Sequence, residues 1–167
     1  MSERTERGGQ LKLLNVVDEY TRECLAVEVR RHFHGRDVVQ VLDGLFAVRG
    51  RPGHLRSDNG PEFASKAVRE WLKQSGVGTL FIESGSPWEN GYVESFNGKL
   101  RDECLNGELF LSRAEMRYVV DRWRQDYNQH RPHSMLGWQT PAEYAASCVP
   151  AGSATPHPPE HTRETVT

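Results

Sequence analysis

Two stretches decide how this chain reads: SDNGPEFAS at residues 57–65 and ENGYVESFNGKLRDE at 89–103. Each sets an acidic residue among small turn formers, and 35 residues separate Asp58 from Glu94. Just before the first, GHLRS (53–57) reads as a short strand that delivers Asp58 at its carboxyl end, the edge where open α/β sheets place ligands. Between the acids the pattern predicts a helix from about Ser65 to Gln74, a strand VGTLFIE (77–83) and a turn-rich loop SGSPWENG (84–91). That interval can return a helical Glu94 to the sheet edge that carries Asp58. On a helix opening near residue 89 or 91, Glu94 shares its side with Asn90, Gly91, Asn97 and Gly98. These small or amide residues leave room for a phosphate backbone, and Lys99 and Arg101 follow within two turns. Carboxylates suit the hard ions Mg²⁺ or Mn²⁺. Two such ions, about 3.5–4 Å apart, stabilise the attacking and leaving oxygens of an in-line displacement at phosphorus. Taken singly, Asp58 is an ordinary turn former and Glu94 a solvated helix residue.

The rest of the chain builds a scaffold around these stretches. LKLLNVV (11–17) is an apolar run suited to a buried strand, DEYTR turns, and ECLAVEV alternates as the second strand of a hairpin. Residues 36–49 switch to helical period, with Val38, Val39, Leu42, Leu45 and Phe46 on one face, until Gly50 and Pro52 stop them. Ser112 and Glu115 form a capping box opening a helix whose apolar face is Met116, Val119, Val120, Trp123 and Tyr127. TPAEYAA repeats the device with Thr140, Pro141 and Glu143. Strands alternating with helices after an opening hairpin predict an α/β layer fold with a mixed sheet. Residues 1–10 read as a disordered lead-in, 11–146 as the core and 147–167, rich in Pro, Ser, Thr and His, as a disordered tail.

Bulk properties exclude several classes. The chain has 167 residues and a net charge of −2, ordinary for one globular domain and too acidic for a stand-alone non-specific DNA binder. No apolar run approaches the roughly 20 residues of a membrane span, and the start has no signal-peptide core, so a cytoplasmic location is expected. Cys24, Cys104 and Cys148 form no Cys-x-x-Cys pair and read as reduced thiols in or near a core. Basic clusters at Arg30–Arg36 and His130–His133 read first as solvated or structural segments. Pro132 bends the second cluster, and imidazole is a poor ligand for Mg²⁺. Trp88 reads as a loop anchor before Glu94.

As an ordered set, LRSDNGPEF, NGYVESFNGKLRDE, LNVVDEYTREC (14–24) and YNQHRPHSMLGWQTPAEY (127–144) resemble the catalytic core of insertion-sequence DDE transposases related to retroviral integrases. The resemblance covers about residues 10–146. It implies a ribonuclease H-like three-layer fold with a mixed central sheet. It also implies an activity, DNA integration: a 3′-hydroxyl DNA end joins a target phosphodiester with the help of two Mg²⁺ (or Mn²⁺) ions. Carried over by position, Asp58 is the second acid of the catalytic and metal-binding triad and Glu94 the third. Asn59 and Gly60 shape the turn presenting Asp58, and Asn90, Asn97, Lys99 and Arg101 face DNA. The implied partners are transposon ends and target DNA, further copies of the chain, and a helix-turn-helix segment upstream. Such a protein would be bacterial and associated with the nucleoid.

One part of the pattern is missing. The family's first acid lies on a hydrophobic strand upstream of LNVVDEYTRE, and residues 1–10 contain neither an Asp nor an apolar run. The core is therefore expected to be truncated at its N-terminus, leaving the strands at 11–17 and 53–57 each without a neighbour. Activity as an enzyme is open on this ground. The alternative is an inactive transposase remnant that binds DNA or oligomerises as an inhibitor. Asp18 follows an apolar run but belongs to the hairpin turn, where Asp is common.

Overall fold

The computed structural model describes residues 1–6, 8–57, 60, 62–81, 91–148 and 164–166, the last three and residue 81 by their backbone. Its strands are β1 (Ser2–Arg4), β2 (Gln10–Asp18), β3 (Cys24–Arg30), β4 (His54–Ser57), β5 (Gly78–Phe81) and β6 (Glu164–Val166). Its helices are α1 (Gly35–Arg49), α2 (Lys66–Gln74), α3 (Gly91–Leu100), α4 (Arg113–His130) and α5 (Pro141–Ser147).

The central strand explains the layers. β2 alternates by period two, so Leu11, Leu13 and Val17 enter one core while Leu14 and Val16 enter the other. The first core is completed by Phe96 and Leu100 of α3 and by Met116, Val120 and Tyr127 of α4. The second is completed by Val38 and Leu42 of α1, Val68 and Leu72 of α2, and Leu55 of β4. A strand covered on both faces needs the near-continuous apolar run LLNVV. The result is the three-layer α/β arrangement expected from the sequence, with helices on both sides of one sheet.

That sheet is mixed. The order runs β1-β2-β6-β4-β5, with β3 paired to β2 as well. β2 pairs antiparallel with β1, β3 and β6, whereas β4 pairs parallel with β5 and β6. Here the structure differs from the sequence-based expectation. Neither β2 nor β4 lacks a neighbour: Ser2–Arg4, inside the presumed lead-in, pairs with Gln10–Lys12, and Glu164–Val166, inside the presumed tail, pairs with both β2 and β4. Unpaired backbone groups on a sheet edge recruit any extended segment within reach, and here the two ends of the chain serve.

Local signals hold the helices where the sequence places them. The Ser65 hydroxyl accepts from the Val68 amide at the start of α2. Thr140 and Glu143 close a reciprocal capping box on α5. At α4 the Ser112 hydroxyl accepts from the Glu115 amide, but the Glu115 carboxylate reaches back one residue further, to the Leu111 amide. After Leu100 the ladder of α3 widens to a π-turn over Arg101–Leu105, which carries both Cys104 and Leu105 into the core. Cys24, Cys104 and Cys148 are all free thiols.

The hairpin is clamped to α4 by one buried amide. The Asn128 side chain accepts from the Cys24 amide and donates to the Cys24 carbonyl, both at 2.9 Å, so it mimics a strand neighbour. Asn128→Ala would leave both backbone groups buried without partners, each costing about 1–3 kcal/mol. The expected loss is about 2–4 kcal/mol, read as a lower urea midpoint at unchanged slope.

Candidate active site

The carboxyl ends of β4 and β5 lie side by side, with Ser57 in register with Phe81. Leu55 is packed in the core and Ser57 is buried, so the chain leaves the sheet at a fixed point immediately before Asp58. Beyond it, the Gly60 carbonyl accepts from the amides of Phe63 and Ala64 at 3.0 and 2.9 Å. Phe63 is buried and anchors that turn. Asp58, Asn59 and Asn90, and with them Trp88, lie outside the described residues.

α3 is oriented by its apolar side. Val93, Phe96 and Leu100 are buried, and Phe96 meets Trp123 and Tyr127 edge-on at 5.6 and 5.3 Å. Glu94 is two positions from Phe96, about 200° round the helix, and is accordingly exposed. Among the described residues its carboxylate has no hydrogen-bond or ion-pair partner. Arg101 falls seven positions on, back on the Glu94 side, at the start of the π-turn. Lys99 sits about 140° away by the same geometry, and its charge is felt instead by Glu103 and His133.

Asn97 is held rather than free. Its Oδ1 accepts from Nδ2 of Asn15 on β2 at 2.6 Å, which fixes α3 against the sheet. Tyr92 fixes the first turn: its hydroxyl lies 3.4 Å from the Arg22 carbonyl and 3.3 Å from the Tyr127 hydroxyl, and the Arg22 guanidinium sits over its ring. A cavity of about 260 Å³ opens beside these groups, lined by Leu14 and Asn15 of β2, Glu62 and Phe63 of the turn after β4, and Val93 and Asn97 of α3. The turn that follows Asp58 and the helix that carries Glu94 thus share one cavity wall.

Other candidates resolve into structure. Asp18 Oδ1 accepts from the amides of Tyr20 and Thr21 and closes the hairpin turn. In His130–His133, Arg131 forms a two-pronged ion pair with Glu103, which also accepts from the Trp123 indole. That pair holds the Glu103 carboxyl below its usual range. Sequence reasoning did not find Glu103, Asn15 or Asn128, because their partners lie far along the chain. Among the described residues no three His, Cys, Asp or Glu side chains gather as metal ligands. The hard, unpaired oxygens of Glu94 do suit a divalent ion such as Mg²⁺.

His133 packs edge-on to Tyr127. Burial, then the charges of Lys99, Arg131 and Arg22, push its pKa down to about 4. In the unfolded chain it would titrate near 6.5. The unfolded state therefore binds the proton first, and stability falls as pH drops from about 6.5 toward 4. Thermal midpoints measured across that window should decline, and His133→Gln should flatten the decline.

Models of the integrase core domain match residues 3–87 and 75–141 of the chain. An uncharacterized 39.2 kDa protein of insertion element IS476 from Xanthomonas euvesicatoria is 48% identical over 138 residues, covering 83% of this chain and 40% of that protein. A 31.7 kDa protein of IS407 from Burkholderia multivorans is 45% identical, covering 83% and 50%. The transposase InsF of IS3A from Escherichia coli K12 is 29% identical, covering 84% and 50%. The chain thus spans half or less of the length of these relatives. Among solved structures, the catalytic core domain of HTLV-2 integrase in complex with magnesium superposes with a TM-score of 0.67 at 17% identity, covering 86% of this chain and 90% of that one. The simian T-cell lymphotropic virus intasome in complex with PP2A regulatory subunit B56 gamma gives 0.75 at 18%, covering 96% and 55%. At such identities the likeness concerns the fold, a ribonuclease H-like core.

Proposed function

Because the chain belongs to the integrase core domain family, we propose that it serves as the catalytic core of an insertion-sequence transposase, joining 3′-hydroxyl DNA ends to target phosphodiesters. The observation that carries this is the shared cavity wall: the turn following Asp58 and the helix bearing an unpaired Glu94 open on one space. Asp58 and Glu94 would hold one or two Mg²⁺ or Mn²⁺ ions. When bound, such ions neutralise charge on the attacking and leaving oxygens. In the reaction a P–O bond to the incoming 3′-oxygen forms and the P–O bond to the leaving strand breaks, so bond count is conserved.

The chain's own residues do the positioning. Tyr92, Phe96 and Asn97 lock α3 so that Glu94 faces out of the core. Asn59 and Gly60 shape the turn that presents Asp58. Asn90 and Arg101 supply a hydrogen-bonding amide and a charge for DNA phosphates. Asn97 and Lys99 border the same helix, the first tied to Asn15 and the second turned toward Glu103. Phosphate contacts of this kind position DNA without reading its sequence, so end recognition falls to a helix-turn-helix segment elsewhere in the transposase. The chain would act with further copies of itself on paired DNA ends. Its setting would be the bacterial cytoplasm, at the nucleoid. Among the described residues no helix is long and apolar enough to cross a membrane.

The test is a strand-transfer assay on a labelled oligonucleotide with Mg²⁺, with Mn²⁺ and with chelator. Products that appear in either metal and vanish with chelator are expected. A folded chain that yields no product in both metals would overturn the enzymatic reading in favour of an inactive, DNA-binding or oligomerising inhibitor.

A further inference from the structure

The two terminal strands lie in one slot on β2, end to end. Ser2, Glu3 and Arg4 pair with Lys12, Leu11 and Gln10, and the Met1 amino group and carbonyl bond the Leu13 carbonyl and amide at 3.3 and 2.9 Å. Val166 and Thr165 pair with Val17 and Asp18 on the same edge. Both segments run antiparallel to β2, so they have the direction of a single strand cut in two. Only Leu14, Asn15 and Val16 separate the partner of Met1 from the partner of Val166.

That interval carries unmet hydrogen-bonding capacity. In an antiparallel ladder alternate residues turn their amide and carbonyl to the same edge. Leu13 and Val17 face this one, and so does Asn15 between them. The Asn15 side chain is 5% exposed, and its Oδ1 has no partner among the described residues. The cavity of about 260 Å³ lies here, lined by Met1, Ser2, Leu13, Leu14 and Asn15. On the far side β4 presents His54, Leu55 and Arg56 to β6, and these three are its paired positions on that edge.

We propose that the groove between β2 and β4 is a strand-acceptor site for an extended peptide. Its ligand is one continuous strand of about nine residues, antiparallel to β2 and parallel to β4. Strand addition of this kind draws affinity from main-chain bonds, which any extended peptide supplies, and specificity from the side chains on alternate faces. β6 and β1 occupy the site as two short pieces. A continuous strand replaces both, fills the cavity and gives Asn15 its missing partners. The inference stands on sheet pairing alone and not on the DNA reading.

The probe follows from the register. Val166 joins Met1 across three positions when Thr167 and two added residues intervene. The fluorescein-labelled peptide Glu-Thr-Val-Thr-Gly-Ser-Met-Ser-Glu-Arg therefore reproduces the slot's contents as one strand. Titrated against the full chain and followed by anisotropy, it should bind saturably and slow hydrogen exchange at the Asn15 amide. Removing residues 164–167 should tighten binding at least tenfold, because nothing has to be displaced. Where that deletion fails to fold, Val166→Pro in the full chain, which loses a ladder N–H, should tighten it in the same direction. A peptide with proline in place of its valine should bind at least tenfold more weakly. Absence of saturable binding, equal binding of the proline peptide, or binding with Asn15 exchange unchanged would overturn the proposal.

Discussion

Glu94→Gln is expected to lower metal-dependent strand transfer by on the order of 10³-fold while leaving the melting temperature unchanged. Losing one carboxylate charge from a two-metal site removes stabilisation made chiefly in the transition state, and 10³-fold is about 4 kcal/mol. The folded state loses little, because Glu94 is exposed and unpaired among the described residues, and such surface changes move stability by about 0.5 kcal/mol or less. Asp58→Asn should match it in activity. Strand transfer and thermal unfolding measured on the same preparations check both halves. Retention of more than a tenth of the activity in Glu94→Gln would remove Glu94 from the chemistry.

Phe96→Ala is the counterpart, two residues away and opposite in kind. The Phe96 ring is 1% exposed and wedged edge-on between Trp123 and Tyr127. Emptying such a site costs about 3–5 kcal/mol, against a total stability of about 5–15 kcal/mol for a domain. The variant should unfold at a much lower urea concentration. It should lose strand transfer through loss of fold, with Phe96→Leu recovering most of both. A midpoint within about 1 kcal/mol of the parent would mean that α3 is not held by this aromatic contact.

Most of the scaffold could be read from the chain because its causes are local. The run LLNVV announces a strand buried on both faces, and Ser65, Ser112 and Thr140 cap the helices expected of them. The two candidate segments, SDNGPEF and NGYVESFNG, stand out because small residues flank each acid. What escaped reading has causes remote in sequence. Ser-Glu-Arg and Glu-Thr-Val show no apolar alternation, and they become strands only because the open edges of β2 and β4 await them. Asn128 looks like any polar residue late in a helix until Cys24, across the fold, supplies its two bonds. Lys99 looked like a DNA contact by proximity to Glu94, yet its helical phase turns it toward Glu103.

The pairing of β6 with β2 also orders events in time. A chain is made from its amino end, and domains begin to fold during synthesis. Val17 emerges early, but its partner Val166 is polymerised after every other described strand. Until then the β2–β3 hairpin and the β4–β5 pair have no described strand joining them, and their facing edges stay open. Closing a contact between such distant positions is also intrinsically slow. The interval between synthesis of β2 and release of the last residues is therefore when a nascent chain is most exposed to pairing with another. Its length is set by translation speed, so slower elongation should raise the share of insoluble product.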